Sequence, residues 1–205
     1  METSKARRHL IISGTGRAGT TFLVQLLTKL NFDTGFSQQT GTVHANCNAG
    51  MELDIRQANA PYIVKNPWLC EHLAKLLDSH QVVVDHAIVP IRDLFSAAES
   101  RRDVTRRTDP SLYPDRKVPG GLWRTVDPIA QEEVLTSSFY KLVFTLTKFD
   151  IPTTFLYFPR LILEPVYLYA KLPFLFATIH YSLYLEAYYE IARPELIHDF
   201  PHSEA

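Results

Sequence analysis

Residues 10–22 read LIISGTGRAGTTF, an apolar run that breaks into three spaced glycines, one arginine and three threonines. The run at 8–13 (RHLIIS) is short and ends at a glycine, which suits a buried parallel strand. Beyond the glycines, Phe22, Leu23, Leu26, Leu27 and Leu30 recur at helical spacing, so residues 20–30 are expected to form a helix with Thr20 or Thr21 in its first turn. A glycine loop between a buried strand and a helix is an anion cradle, because backbone N–H groups and the positive end of the helix dipole point into the turn.

The same unit recurs more weakly downstream. PYIVKNPW (61–68) predicts a strand followed by a helix from about Trp68 to Ser79, and HAIVPIRD (86–93) a strand followed by a helix from about Leu94 to Arg102. Such alternation implies an α/β fold with a parallel sheet. Val104 to Pro128 carries prolines, glycines and charges without an apolar period, and reads as a long lid or binding loop. A helix from about Ile129 to Phe149, a strand TTFLYF (153–158) and one or two aromatic helices up to about Ile191 complete the pattern.

A length of 205 residues suits a single domain spanning 1–205. The 21 basic and 22 acidic residues give a formal net charge of −1, which excludes the overall basicity of a non-specific nucleic-acid binder. No nucleic-acid partner is expected, and any anion site must be local. Cys47 and Cys70 form neither a CxxC pair nor a disulfide framework, which fits a reducing cytoplasm and gives no zinc site. Leu10 to Ile12 is too short for a secretion-signal core. The most apolar region, 153–185, is broken by Arg160, Glu164, Lys171 and three prolines, so neither a membrane span nor membrane contact is expected.

The loop departs from the phosphate loop of nucleoside triphosphatases, GxxxxGK[ST], whose lysine reaches the β and γ phosphates. Gly14 to Thr21 reads GTGRAGTT, so Thr20 stands at the lysine position and Arg17, the loop's one cation, sits three residues earlier. Gly14, Gly16 and Gly19 also match the dinucleotide fingerprint GxGxxG, with Asp33 at about the distance of its ribose-binding acid. That reading and a purely structural glycine turn both stay open.

Arg17-Ala18-Gly19-Thr20-Thr21 resembles the 5′-phosphosulfate loop of sulfotransferases, in which a basic and a small residue precede Gly-Thr-Thr or Gly-Thr-Ser. Arginine at the basic position is familiar in the tyrosylprotein branch and in many bacterial members. The family's 3′-phosphate site is a strand-end arginine followed eight residues later by a serine, and VPIRDLFSAAESR supplies Arg92 and Ser100 at that separation. IVKNPW resembles the strand-end Lys-Asp-Pro of the tyrosylprotein branch, with Asn66 in place of the aspartate and Lys65 as the candidate catalytic cation. FLYFPRLILEPVYLY is more loosely similar, with Pro159 and Arg160 where an acid is common.

The resemblance implies a three-layer, P-loop-like α/β fold with a central parallel sheet flanked by helices. It implies 3′-phosphoadenosine 5′-phosphosulfate (PAPS) as cofactor, adenosine 3′,5′-bisphosphate as product, a small-molecule acceptor and no requirement for metal. Gly14, Gly16, Arg17, Ala18, Gly19, Thr20, Thr21, Arg92 and Ser100 would hold the nucleotide, and Arg17 and Lys65 would carry catalytic charge. For the general base, cytosolic members use a histidine where this chain has Pro67, whereas the tyrosylprotein branch uses a glutamate between the glycine loop and the lysine strand. TVHANCNAGMELDI offers Glu52, His44 and Asp54 in that interval, with Glu52 favoured; His86 is expected to be structural.

The basic segment from Arg101 to Trp123 carries Arg101, Arg102, Arg106, Arg107, Arg116 and Lys117. Its RKVPGGLW stretch is similar to the Arg-Lys-Gly loop that closes over the 3′-phosphate, and a solvated charged loop is the plainer reading. Seven of the ten tyrosines lie between Tyr157 and Tyr189, where an aromatic stripe is more often core than pocket. The expected activity is sulfuryl transfer to a hydroxyl of a small molecule, lipid or sugar. Its rivals are a small-molecule or nucleotide kinase with a degenerate loop, and a nucleotide-binding protein without turnover.

Overall fold

The computed structural model describes residues 6–37, 40–41, 43–44, 47–113, 117–198 and 200. Four parallel strands, β1 (Arg7–Ile12), β4 (Ile63–Lys65), β5 (Val82–Ile91) and β6 (Thr153–Tyr157), form one sheet in the order β4-β1-β5-β6. A two-residue antiparallel pair, β2 (Val43–His44) and β3 (Ala49–Gly50), stands apart from it.

Strand alternation sends Leu10 and Ile12 to one face and Ile11 to the other. The first face is covered by α1 (Thr20–Lys29) and four short helices: α5 (Arg160–Leu163), α6 (Pro165–Lys171), α7 (Pro173–Phe176) and α8 (Tyr181–Ile191). The second is covered by α2 (Leu73–Asp78) and α4 (Gln131–Lys148). α3 (Leu94–Arg107) packs against α4. The fold is therefore the expected three-layer α/β arrangement of the P-loop-like kind. The chain leaves β1 for β4 on one side and crosses back to β5 on the other, so the crevice outside the carboxyl ends of β1 and β5 is the place where open α/β sheets bind ligands.

Four expectations about elements need correction. α3 runs on to Arg107, so the segment expected as a loop from Val104 begins one turn later and Arg101, Arg102, Arg106 and Arg107 are helical. Asp93 caps its start by accepting from the Ser96 amide at 2.8 Å, and the Asp103–Arg107 and Glu99–Arg102 pairs support a face with little apolar content. β5 starts at Val82 rather than His86, its first half masked in sequence by Asp85, which pairs with Arg8. Instead of one helix from Trp68, a 3-10 turn at Leu69–Glu71 precedes α2. The aromatic tail forms four helices rather than one or two, with Pro165 and Pro173 each restarting the chain at the first helical turn.

The tyrosine stripe is divided: Tyr157, Tyr181 and Tyr189 are exposed and Tyr167 and Tyr169 half-buried, whereas Tyr184 and Tyr188 are core, with Tyr184 Oη donating to the Pro165 carbonyl at 2.8 Å and Tyr188 meeting Phe22 edge-on at 5.5 Å. Truncating Tyr184 to alanine is expected to cost about 3–5 kcal/mol, the range for large aromatic side chains in a core, read as a lowered urea midpoint. Among the described residues no helix is long and apolar enough to cross a membrane.

Candidate functional site

The turn from β1 into α1 is built on left-handed backbone, with Gly16 at φ 70°, Arg17 at φ 57° and Gly19, the helix N-cap, at φ 82°. Gly16 has a second reason to lack a side chain: a Cβ there would lie 2.5 Å from the Arg101 guanidinium. An arginine in this conformation is uncommon and needs its surroundings to hold it. Here Arg17 Nε donates to Ser100 Oγ at 3.0 Å, its Nη1 donates to the Cys47 carbonyl, and its own carbonyl accepts from Arg92 at 3.1 Å.

Segments that are 30, 75 and 83 residues away from Arg17 therefore meet around it. Arg92, at the carboxyl end of β5, also donates to the His198 carbonyl and lies 4.8 Å from the Phe158 ring centroid. Ser100, on α3, is 2% exposed and faces the loop as expected.

On the other side of the loop, Lys65 ends β4 and is buried rather than a surface lysine. Its ammonium donates to the Gly50 carbonyl at 2.7 Å, to Thr21 Oγ1 at 3.3 Å and, in a close ion pair, to Glu52. Burial lowers the Lys65 pKa, and the Glu52 carboxylate opposes that shift. The β2–β3 pair carries Gly50 and Glu52 to this position, and Leu53 N, donating to the Lys65 carbonyl at 3.0 Å, fixes them alongside the strand end.

These groups face one cavity of about 1600 Å³. Among the described residues its wall carries eight Lys and Arg against two Glu, so a chain of net charge −1 concentrates positive charge here. Small-molecule pockets run to about 300–1,000 Å³, so this cavity is ample for a nucleotide-sized ligand. Gly16, Gly19, Thr20, Thr21, His44 and Glu52 line it, and His44 is exposed on β2. Gly14 and Ala18 belong to the loop behind the wall; Ala18 is fully buried.

In comparisons with known proteins, no protein-family model and no curated protein matches this chain.

The remaining candidates separate clearly. Asp54 does not line this cavity; Arg56 pairs with its carboxylate and holds its pKa down to about 2. Asp33 accepts from the Tyr62 amide at 2.8 Å, at the amino end of β4 and away from the loop, so it is not placed as a ribose-binding acid. His86 bonds Thr154 Oγ1 at 2.8 Å and stacks on Phe174, a structural position. Of the basic stretch, Lys117 and Val118 to Trp123 line the cavity, while Arg116 lies outside the described residues.

Arg101 was legible only as one cation among six. It is 7% exposed, donates to the Thr15 carbonyl at 2.7 Å and the Gly121 carbonyl at 2.9 Å, and lies 5.7 Å from the Trp123 ring centroid. Its Nε is buried without a partner among the described residues, and burial pulls its pKa down to about 9, with Arg17 adding to the shift. It ties the glycine loop to the Gly120–Trp123 wall. Its one sequence signal was its place immediately after Ser100 on the helix.

Proposed function

We propose that this chain is a sulfotransferase that moves a sulfuryl group from PAPS to the hydroxyl of a small acceptor. The observation that supports this reading is the convergence of three separated motifs, Arg17 to Thr21, Lys65, and Arg92 with Ser100, on one cationic cavity at the sheet's switch point. The residues fit such a nucleotide. Left-handed glycines open the loop, backbone N–H groups and Arg17 suit the 5′ end, Arg92 and Ser100 suit the 3′-phosphate, and the orphaned Arg101 Nε adds a buried donor to the same wall.

When bound, the donor supplies an electrophilic sulfur on a phosphate leaving group. Arg17 and the loop amides would hold that phosphate, and Lys65 would supply positive charge to stabilise the negative charge that develops on the leaving group. Glu52, beside Lys65 and a quarter exposed, takes the proton of the attacking hydroxyl as the new O–S bond forms. The chain thus contributes positioning and electrostatics, as in phosphoryl transfer. Thr20, where a kinase carries its phosphate lysine, is 6% exposed.

A thermal-shift titration tests the reading. Adenosine 3′,5′-bisphosphate is expected to raise the melting temperature without magnesium, by mass action on the folded state. A response to ATP with magnesium alone would favour the kinase. Bisphosphate binding without transfer to any acceptor would favour a protein that lacks turnover.

A further inference from the structure

A second cleft of about 470 Å³ adjoins the first and shares Glu52, Trp68 and Glu71 with it. Asp54, Arg56 and His72 complete the part of its wall that matters here. We propose that this cleft is the acceptor site and that the acceptor is a neutral oligosaccharide; the identification as an acceptor site rests on the sulfotransferase reading, whereas the sugar-binding chemistry does not.

Charge is balanced pair by pair. Glu52 pairs with Lys65, Asp54 with Arg56 at 2.6 Å, and Glu71 with Arg124 at 2.6 Å. The carboxylates are each 25–30% exposed, and a carboxylate offers about four acceptor positions, more than one cation fills. A charged acceptor therefore meets no net opposite charge. An apolar phenol or sterol would strip water from three ion pairs and return only the hydrogen bonds of its one or two hydroxyls. A polyol replaces that water with hydroxyl donors. His72 also lines the cleft, and burial lowers its pKa, favouring the neutral ring.

Trp68 supplies the remaining part of a sugar site. Its indole is 41% exposed on the wall of both clefts, while its backbone is pinned by the amide donating to Asn66 Oδ1 at 2.7 Å and the carbonyl accepting from Glu71 N at 3.0 Å. A flat, half-exposed indole on a pinned backbone packs against the C–H face of a sugar ring, whose rim of hydroxyls then meets the carboxylates. Because Glu52 belongs to both clefts, a ring stacked on Trp68 presents a hydroxyl toward the Lys65–Glu52 pair.

Saturation-transfer NMR tests the proposal without donor, using neutral tetrasaccharides of glucose, galactose, mannose and N-acetylglucosamine, with 4-nitrophenol and estradiol as apolar probes. At least one tetrasaccharide is expected to show ring-proton saturation, reduced about tenfold or more in Trp68→Ala, as for a truncated aromatic anchor, and retained in Trp68→Phe. No signal from any tetrasaccharide, a signal unchanged in Trp68→Ala, or Trp68-dependent binding of the apolar probes alone would overturn it. Calorimetry with adenosine 3′,5′-bisphosphate runs in parallel. Loss of that binding with sugar binding intact would sink the sulfotransferase reading and leave the sugar site standing.

Discussion

Replacing Lys65 by methionine is expected to slow sulfuryl transfer by about a hundred- to a thousandfold, the usual cost of removing one preorganised group that faces developing charge. Methionine is chosen because Lys65 is only 3% exposed, and an unbranched apolar chain fills the same space against Thr21 and Gly50. Affinity for adenosine 3′,5′-bisphosphate should change by less than about threefold, because in the proposed reaction the charge acts on an oxygen that gains it only as the bond breaks. Single-turnover transfer of labelled sulfate, with calorimetry on the same variant, separates the two quantities. An equal fall in both would make Lys65 a binding residue and nothing more. Transfer at the normal rate would remove it from the chemistry.

The parts of this molecule that were legible in sequence are those whose signal is local. Gly14 to Thr21 announces itself because left-handed turns need glycine, and the strands at Leu10 and Ile63 because buried parallel strands are unbroken apolar runs. Local patterning fails where charge carries the structure. Residues 103–107 of α3 have one buried apolar side chain, Val104, and rest on ion pairs, so they look like solvated loop. Likewise Asp85 hides the first half of β5, although it faces Arg8 on the neighbouring strand. Within the site, Lys65 and Glu52 could each be nominated, yet not joined. Their contact depends on β2 and β3, whose two-residue strands are too short to leave a period. The second cleft was invisible for a related reason: Asp54, set aside as a base by its pairing with Arg56, gains its place only through neighbours that folding brings to Trp68.

Arg92→Ala is expected to weaken binding of adenosine 3′,5′-bisphosphate by about ten- to a hundredfold, since a hydrogen bond to a charged group contributes about 1.5–3 kcal/mol and 1.4 kcal/mol is tenfold. Two effects combine in this figure. On the sulfotransferase reading the guanidinium presents charge to the 3′-phosphate, and its contact with the Arg17 carbonyl helps hold a left-handed arginine in the loop proposed for the 5′ end. Comparing nucleotides separates them. Adenosine 5′-monophosphate lacks the 3′-phosphate, so its affinity should fall in Arg92→Ala only through the loop, and by less than that of the bisphosphate. If both nucleotides weaken equally, Arg92 is a support for Arg17 and the 3′-phosphate lies elsewhere. Arg92→Lys sharpens the distinction, because lysine keeps the charge and loses the planar fork that reaches the Arg17 carbonyl while facing the cavity. Recovery of bisphosphate affinity in the lysine variant, with the monophosphate still weakened, is the outcome expected if one side chain performs both tasks.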